Sequence, residues 1–241
     1  MPANSPGGLQ IIGLPFEKGG YYHIFGIGIV KTVFVAQESS VKNLIFDLGG
    51  VILDLSVDHT LQAFADISGL AKAEVTKRFA TAEGFVAYEK GLINDAGFRA
   101  FVRDTYPVQA TDDALDIAWN AMLRGLPLNK LQLLLRLKTQ YQVVLLSNTN
   151  SIHLEYINTR LLPPGDTSLD PYFHRTYYSH HLHKRKPDAD IFEQVLQENN
   201  FQPHETLFLD DNADNIAGAH TLGIQTVHVT TLDLIIDYFH A

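Results

Sequence analysis

Four places in the chain carry side chains that could do chemistry together. Asp47 is followed by Gly49 and Gly50. Glycines there let the backbone turn sharply and approach a ligand closely. A carboxylate so placed is able to act as a covalent nucleophile. Asp210 and Asp211 are adjacent, with Asp214 and Asn215 just beyond. Two like charges directly after an apolar run repel each other unless a cation or a lysine intervenes. Oxygen ligands of this kind suit Mg²⁺, which takes one or two carboxylates plus water and substrate phosphate. The Ser147 hydroxyl can donate one hydrogen bond, and Lys186 brings a compact positive charge. The set suits phosphoryl transfer, where positioning and charge neutralisation do most of the work. Each piece alone has a plainer explanation. Asp47 could form a turn, Ser147-Asn148-Thr149-Asn150 could cap a helix, and Lys186-Pro187-Asp188 could start one. The argument for one site is their order, each after a separate strand-like run.

Those runs define the elements that must position the groups. Val41–Phe46 is strand-like and ends at Asp47. Gln142–Leu146 is apolar and β-branched and ends at Ser147-Asn148. His174–Ser179 is a third strand candidate, Thr206–Leu209 a fourth and Gln225–Val229 a fifth. Between them lie helical patterns: Leu128–Leu137, a helix after Asn150 to about Arg160, Asp188–Glu198 and Ala213–Leu222. Apolar runs alternating with helices imply a parallel sheet with helices on both faces, a three-layer Rossmann-like α/β fold. Ligands of such sheets bind beyond the carboxyl ends of the strands, where the polar groups collect. Residues 57–123 show helical periodicity without strand-like runs, broken at Pro107 and restarted at Thr111-Asp112. This predicts a helical cap inserted after the first core strand, with a core made of residues 42–56 and 124–241. Trp119 and Met122 at helical spacing read as packing, and Phe85, Tyr88 and Glu89 as cap groups facing the site.

Composition sets the outer bounds. The chain has 241 residues, 18 Lys plus Arg against 27 Asp plus Glu, and a net charge of −9. A chain of this length buries a core without staples. Having no cysteine, it has no disulfide, thiolate metal site or cysteine nucleophile, and it fits a reducing cytoplasm. The acidic balance argues against a nucleic-acid partner. The first forty residues are rich in Gly and Pro and carry an apolar run, Tyr21–Ala36, broken by His23, Gly26, Gly28, Lys31 and Thr32. That run is shorter than the roughly 20 apolar residues of a spanning helix and lacks the flanks of a signal peptide, so no membrane role is expected. Residues 1–41 read as a poorly ordered extension, or as a peripheral strand or hairpin around Ile24–Phe34. The histidines His180, His181 and His183 match no zinc spacing and read as loop surface. No feature specifies an oligomeric state.

The ordered set resembles the haloacid dehalogenase-like hydrolase superfamily. Leu44-Ile45-Phe46-Asp47-Leu48-Gly49-Gly50-Val51 is similar to its first motif and Val143-Val144-Leu145-Leu146-Ser147-Asn148 to its second. Arg185-Lys186-Pro187 is similar to the third, and Phe208-Leu209-Asp210-Asp211-Asn212-Ala213-Asp214-Asn215 to the fourth. The resemblance covers about residues 42–240 and is nearest to bacterial sugar-phosphate phosphatases of the α-D-glucose-1-phosphate phosphatase type. The phosphatase domain of soluble epoxide hydrolase is a more distant likeness. Tyr88-Glu89-Lys90-Gly91-Leu92-Ile93 is similar to a stretch of the bacterial group's cap. The resemblance implies a Mg²⁺-dependent phosphomonoester hydrolase acting on a small phosphorylated substrate through an aspartyl phosphate. Asp47 would be the nucleophile. Mg²⁺ would sit on the Asp47 and Asp211 side chains and the Gly49 carbonyl. Ser147, Asn148, Lys186 and the amides of Leu48 and Gly49 would hold phosphate. Asp210 would stand behind the metal, and Asn215 would orient Lys186 or Asp211.

The sequence departs from the pattern at Gly49, where the family usually has a second Asp that protonates the leaving oxygen, an effect worth roughly 10²–10⁴-fold. A sugar 1-phosphate, with its better leaving group, would tolerate that loss more than a 6-phosphate, and Glu89 is a candidate substitute. Two rivals follow from the same departure. A 2-haloacid dehalogenase also lacks that Asp, but needs no cation and has no use for Asp210-Asp211. A degenerate member would bind Mg²⁺ and a phosphorylated ligand without turnover.

Overall fold

The computed structural model describes residues 41–240 and, before them, two short strands. Those are β1 (His23–Phe25) and β2 (Gly28–Val30), paired antiparallel with Ile24 opposite Ile29. The pair falls at the start of the expected hairpin. The reading of the rest of residues 1–40 as poorly ordered or peripheral lies outside the described residues. Residues 1–39 and 40–241 are separate compact units.

The second unit is built on β3 (Asn43–Phe46), β6 (Gln142–Ser147), β7 (Arg175–Tyr178), β8 (Thr206–Asp210) and β9 (Gln225–His228). They form one parallel sheet in the order β7-β6-β3-β8-β9. All four residues of β3 and all five of β8 are buried, which is why both read as near-continuous apolar runs. The strand period of two sorts side chains between the faces. Leu44, Phe46, Val143, Leu145, Leu207 and Leu209 join one apolar cluster, whereas Ile45, Val144, Leu146 and Phe208 join the other. The second cluster is closed by Ile191, Phe192 and Val195 of α9 (Ala189–Asn199) and Ala219 of α10 (Ala213–Thr221). The first is closed by Leu131, Leu134 and Leu137 of α6 (Leu128–Leu137) and Ile235 of α11 (Leu234–Tyr238). The result is the three-layer α/β fold that the alternating pattern implied. Among the described residues, no helix is long and apolar enough to cross a membrane.

Between β3 and α6 come α1 (Val57–Ser68), α2 (Lys72–Thr81), α3 (Glu83–Glu89), α4 (Asp95–Thr105) and α5 (Asp112–Asn120). Thr111 caps α5 by accepting from the Ala114 amide, at the restart the sequence marks. These helices share an aromatic core: Phe85 and Phe98 lie 5.4 and 5.0 Å from Trp119, and Phe64 lies 4.9 Å from Tyr106. Trp119 and Met122 are buried, as their spacing suggested. Two strands missing from the sequence reading frame the segment. β4 (Asp54–Leu55) pairs antiparallel with β5 (Leu123–Gly125) across a bulge. Neither is long enough to show a period. Lys130, buried at the start of α6, donates to Asp54 Oδ1 at 3.1 Å.

Behind β6, Asn150 accepts from the His153 amide and starts α7 (Ser151–Tyr156), which runs into a wider helical turn, Ile157–Leu161. The third strand ends earlier than its sequence run. Ser179 instead opens a short turn of helix, α8 (Ser179–Leu182). The His180 ring nitrogens are buried there, so this histidine is not the loop surface expected of it.

Candidate active site

Each chemical group sits at the carboxyl end of a sheet strand or in the loop beyond it. Asp47 follows β3, Ser147 ends β6, Asp210 ends β8 and Lys186 lies in the loop after α8. Because β3, β6 and β8 are parallel and adjacent, their ends converge. Lys186 is 1% exposed and Asp210 is fully buried. The Lys186 ammonium donates to Asp47 Oδ1 at 2.7 Å, to Asp210 Oδ2 at 2.7 Å and to the Leu146 carbonyl at 2.8 Å. An ammonium has three donors, so all are engaged. The role of offsetting the carboxylates is built in, and contact with a phosphoryl oxygen requires Lys186 to exchange one of these acceptors. Its Nζ also lies 5.3 Å from the centroid of the Phe208 ring, a cation–π contact.

Two asparagines brace this pair of charges. Asn148 Nδ2 donates to the Lys186 carbonyl and its Oδ1 accepts from the Lys186 amide, both at 2.9 Å. Its side-chain amide thus fixes the lysine's backbone through one donor and one acceptor. Asn215 Nδ2 donates to both oxygens of Asp210, at 3.0 and 3.1 Å. It therefore orients Asp210, neither Lys186 nor Asp211. Asp210 Oδ1 also accepts from the Asn212 amide at 2.8 Å, and Asn212 caps α10. The whole Asp210–Asn215 stretch thus holds one buried carboxylate against one buried ammonium. Asp214 lies on the exposed first turn of α10, where its charge favours the helix end.

Asp47 Oδ2 and the Ser147 hydroxyl have no side-chain hydrogen-bond partner among the described residues. The hydrogen bonds of the turn after Asp47 run through the Leu48 carbonyl, which accepts from Ile52 and Leu53, and the Gly50 amide, which donates to Leu53. Gly49's own amide and carbonyl take no part in them. Gly50 has φ +71°, and a Cβ there would lie 2.2 Å from Asp211 Oδ2. Only glycine leaves room for that carboxylate.

Burial pushes the Asp47 carboxyl up to about 7; Lys186 pulls it down and Asp210 adds to the rise. Burial also raises Asp211, again with Asp210 contributing. For Lys186, burial favours the neutral form but the two carboxylates outweigh it and hold the ammonium above its ordinary value. One oxygen each of Asp47, Asp210 and Asp211 lie within 4.8 Å of one another. Three carboxylates face one ammonium, so the charge is uncompensated when all are ionised. A hard divalent cation fits this donor set, and Asp47 and Asp211 are the two carboxylates not wholly committed to protein donors.

The insertion meets this edge through the end of α3. Phe85 and Tyr88, expected to face the site, do not. Phe85 is inside the aromatic core, and the Tyr88 hydroxyl donates to Asp95 Oδ1 at 2.8 Å and lies 3.1 Å from Ser151 Oγ. Glu89 remains. Arg185, beside Lys186, donates to Glu89 Oε2 through Nε at 3.2 Å and approaches it through Nη2 at 3.0 Å. Ser179 Oγ lies 2.6 Å from the Glu89 carbonyl and 3.0 Å from the Thr149 carbonyl, and accepts from the Thr149 amide at 2.9 Å. Lys90 pairs with Asp188 at 3.0 Å. The sequence presents Arg185 only as a neighbour of Lys186 in the third motif and Ser179 only as the end of a strand run, because nothing in linear spacing ties them to residue 89.

Residues 41–223 match the model of the haloacid dehalogenase-like hydrolase family. A D-ribitol-5-phosphate phosphatase from Bacteroides thetaiotaomicron is 32% identical over 187 residues, 77% of this chain and 90% of that protein. A HAD family enzyme from the same organism, solved with magnesium and inorganic phosphate, is 36% identical, with a TM-score of 0.72 over 78% of this chain and 93% of that one. A HAD-like family hydrolase from Porphyromonas gingivalis is 26% identical, with a TM-score of 0.73 over 83% of this chain and 98% of that one. With the strand-end carboxylates, the buried lysine and the parallel sheet all in place, the chain belongs to the haloacid dehalogenase-like hydrolase family.

Proposed function

We propose that the chain is a Mg²⁺-dependent phosphomonoesterase acting on small hydroxylated phosphate esters through an aspartyl-phosphate intermediate. The observation that carries this reading is the convergence of Asp47, Asp210 and Asp211 around Lys186 at the carboxyl edge of the sheet. A metal-free dehalogenase has no use for so much negative charge. Bound at Asp47, Asp211 and the unengaged Gly49 carbonyl, Mg²⁺ would supply positive charge to the phosphoryl oxygens and keep Asp47 ionised. Asp47 Oδ1 is held by Lys186, which leaves Oδ2 to attack phosphorus. The unengaged Ser147 hydroxyl and the free amide of Gly49 are placed to donate to phosphoryl oxygens, and the Leu48 amide, which meets the Asp47 carboxyl, would turn to them with substrate bound. Lys186 shares its charge between Asp47 and Asp210 before substrate arrives, and one of its donors transfers to the phosphoryl group. In this reading, residues 42–56 and 124–241 form the core and residues 57–123 a cap whose α3 end screens the site from water. A cytoplasmic setting, in keeping with a chain lacking cysteine, belongs to the same proposal.

The relative named for D-ribitol 5-phosphate takes an alkyl ester, whose leaving group is poor. That weighs against the preference for sugar 1-phosphates expected from Gly49 and favours polyol and sugar phosphates of the alkyl kind. The test is phosphate release from D-ribitol 5-phosphate, sugar phosphates and 4-nitrophenyl phosphate, with Mg²⁺ and with EDTA. Asp47→Asn is expected to lower the Mg²⁺-dependent rate by at least about 10³-fold while the variant stays folded. Turnover that survives EDTA, or that Asp47→Asn leaves intact, would sink the reading. Chloride release from 2-chloropropionate would replace it with the dehalogenase.

A further inference from the structure

Breaking an alkyl phosphate ester leaves an alkoxide, and the leaving oxygen needs a proton as the bond breaks. The residue next but one to Asp47 is Gly49 and offers none, and a Cβ there would sit tightly against Leu55, 3.2 Å from its Cδ2. The other acids around Lys186 are committed. Asp210 is fully buried with both oxygens bonded to Lys186, Asn212 and Asn215. Asp47 is the proposed nucleophile and Asp211 a proposed cation ligand.

Glu89 is the remaining carboxyl, and the structure builds it into place from both sides. Its carbonyl is held through Ser179 to Thr149, two residues beyond Ser147. Its Oε2 is held by Arg185, the neighbour of Lys186. Its Oε1 has no hydrogen-bond partner among the described residues. One oxygen is thus fixed and the other is open. Resting on the phosphatase reading, we propose that Glu89 donates the proton to the leaving oxygen, in place of the acid missing at Gly49. As the bond from Asp47 Oδ2 to phosphorus forms and the ester P–O bond breaks, the electron pair left on the ester oxygen takes the proton from Glu89 Oε1. The alcohol departs, and Glu89 is left as a carboxylate facing Arg185. It regains a proton from the water that then hydrolyses the aspartyl phosphate. The electrostatics agree: burial raises the Glu89 carboxyl above its ordinary value, and Arg185 and Lys186 only partly oppose it. The other charged or titratable groups on the packed elements include Tyr88 of α3, His180 and His181 of α8, Lys90, paired with Asp188, and His183, whose Nδ1 meets the Lys90 carbonyl at 3.0 Å; burial pushes His180 down to about 4, so it adds no charge.

The test compares leaving groups in a single turnover with enzyme in excess over ester and Mg²⁺ present. Glu89→Gln is expected to slow alcohol release from D-ribitol 5-phosphate by roughly 10²–10⁴-fold. It should change 4-nitrophenolate release, which needs no proton, by less than about 3-fold on the same argument. Equal loss on both esters, or loss on neither, overturns the proposal. Arg185→Gln keeps the carboxyl but removes the charge that lowers it. The alkaline fall of kcat/KM for the alkyl ester is then expected at higher pH, because the acid must be protonated. An unmoved alkaline limb also overturns the proposal. If the parent chain releases phosphate from neither ester, the phosphatase reading fails first, and that result is seen before any variant is compared.

Discussion

Lys186 shows how much one side chain can organise. Its three protons tie together the ends of β3, β6 and β8, and two asparagines serve it at one remove: Asn148 through its backbone and Asn215 through Asp210. The sequence makes Asp47, Ser147 and Asp210 legible because each stands at the end of an apolar run, where a parallel sheet must place it, whereas Lys186, beyond α8, is legible only through the motif it belongs to. The tasks of the asparagines are not legible. An amide offers the same donor and acceptor to any neighbour, and only the path of the backbone decides which one it meets. Gly50 gives a direct test at this scale. With φ +71° and Asp211 Oδ2 2.2 Å from a Cβ, Gly50→Ala must displace the Asp211 carboxylate. We expect Mg²⁺ affinity to fall by about 10- to 100-fold, as when a group supporting a metal ligand is lost. Calorimetric titration with Mg²⁺ checks it, and an unchanged affinity would remove Asp211 from the ligand set.

The elements easiest to anticipate were the sheet strands, read from apolar runs rather than from a period, and the longer helices α4 to α6, α9 and α10, read from theirs. The pair β4–β5 and the turn α8 were missed because two to four residues carry no periodic signal, yet they decide where the insertion is attached and where it docks. Gly91 marks that docking. It has φ +63°, and a Cβ would lie 2.2 Å from the His180 carbonyl oxygen. Gly91→Ala is expected to cost at least about 1–2 kcal/mol from backbone handedness alone and to push the end of α3 off α8. A lowered Tm together with lowered kcat/KM on alkyl esters is the expected reading, and unchanged values for both would refute it. His153 of α7 marks a second joint. It stacks on Trp119 at 4.6 Å, and its Nδ1 lies 2.8 Å from Asn120 Oδ1. Burial pushes it down to about 3 from 6.5, so it is neutral when folded. The unfolded chain takes up the proton first. Its contribution to stability is therefore full above about pH 6.5 and is lost as pH falls towards about 3. The slope is about 1.4 kcal/mol per pH unit. Urea unfolding at pH 7.5 and pH 5 should show a smaller loss in His153→Gln than in the parent. Equal losses would mean that His153 does not titrate as a buried group.

Across the molecule, one apolar cluster runs without a break from the sheet face under α6 and α11 into the aromatic core of α1–α5. Periodicity could show that both regions are apolar but not that they are continuous, since it records the face of each helix and not what that face meets. The family match begins at residue 41, and residues 40–241 form a compact unit. A chain starting at Ser40 is expected to keep its Tm within about 2 °C, a shift corresponding to less than about 1 kcal/mol. It should also keep its turnover of phosphate esters, and thermal unfolding with a rate assay checks both. A drop in either would give the first 39 residues a part in the fold or the site. The seam where α3 meets the sheet edge has a further property. A hydroxyl carries one hydrogen, yet Ser179 Oγ lies within reach of two carbonyls, those of Glu89 and Thr149. The two compete for it. If α3 withdraws, the hydrogen passes wholly to Thr149 and no buried donor is stranded, so parting this contact costs less than breaking a hydrogen bond outright. This one contact is a rivalry rather than a lock, and the pairs Arg185–Glu89 and Lys90–Asp188 carry the rest of the seam.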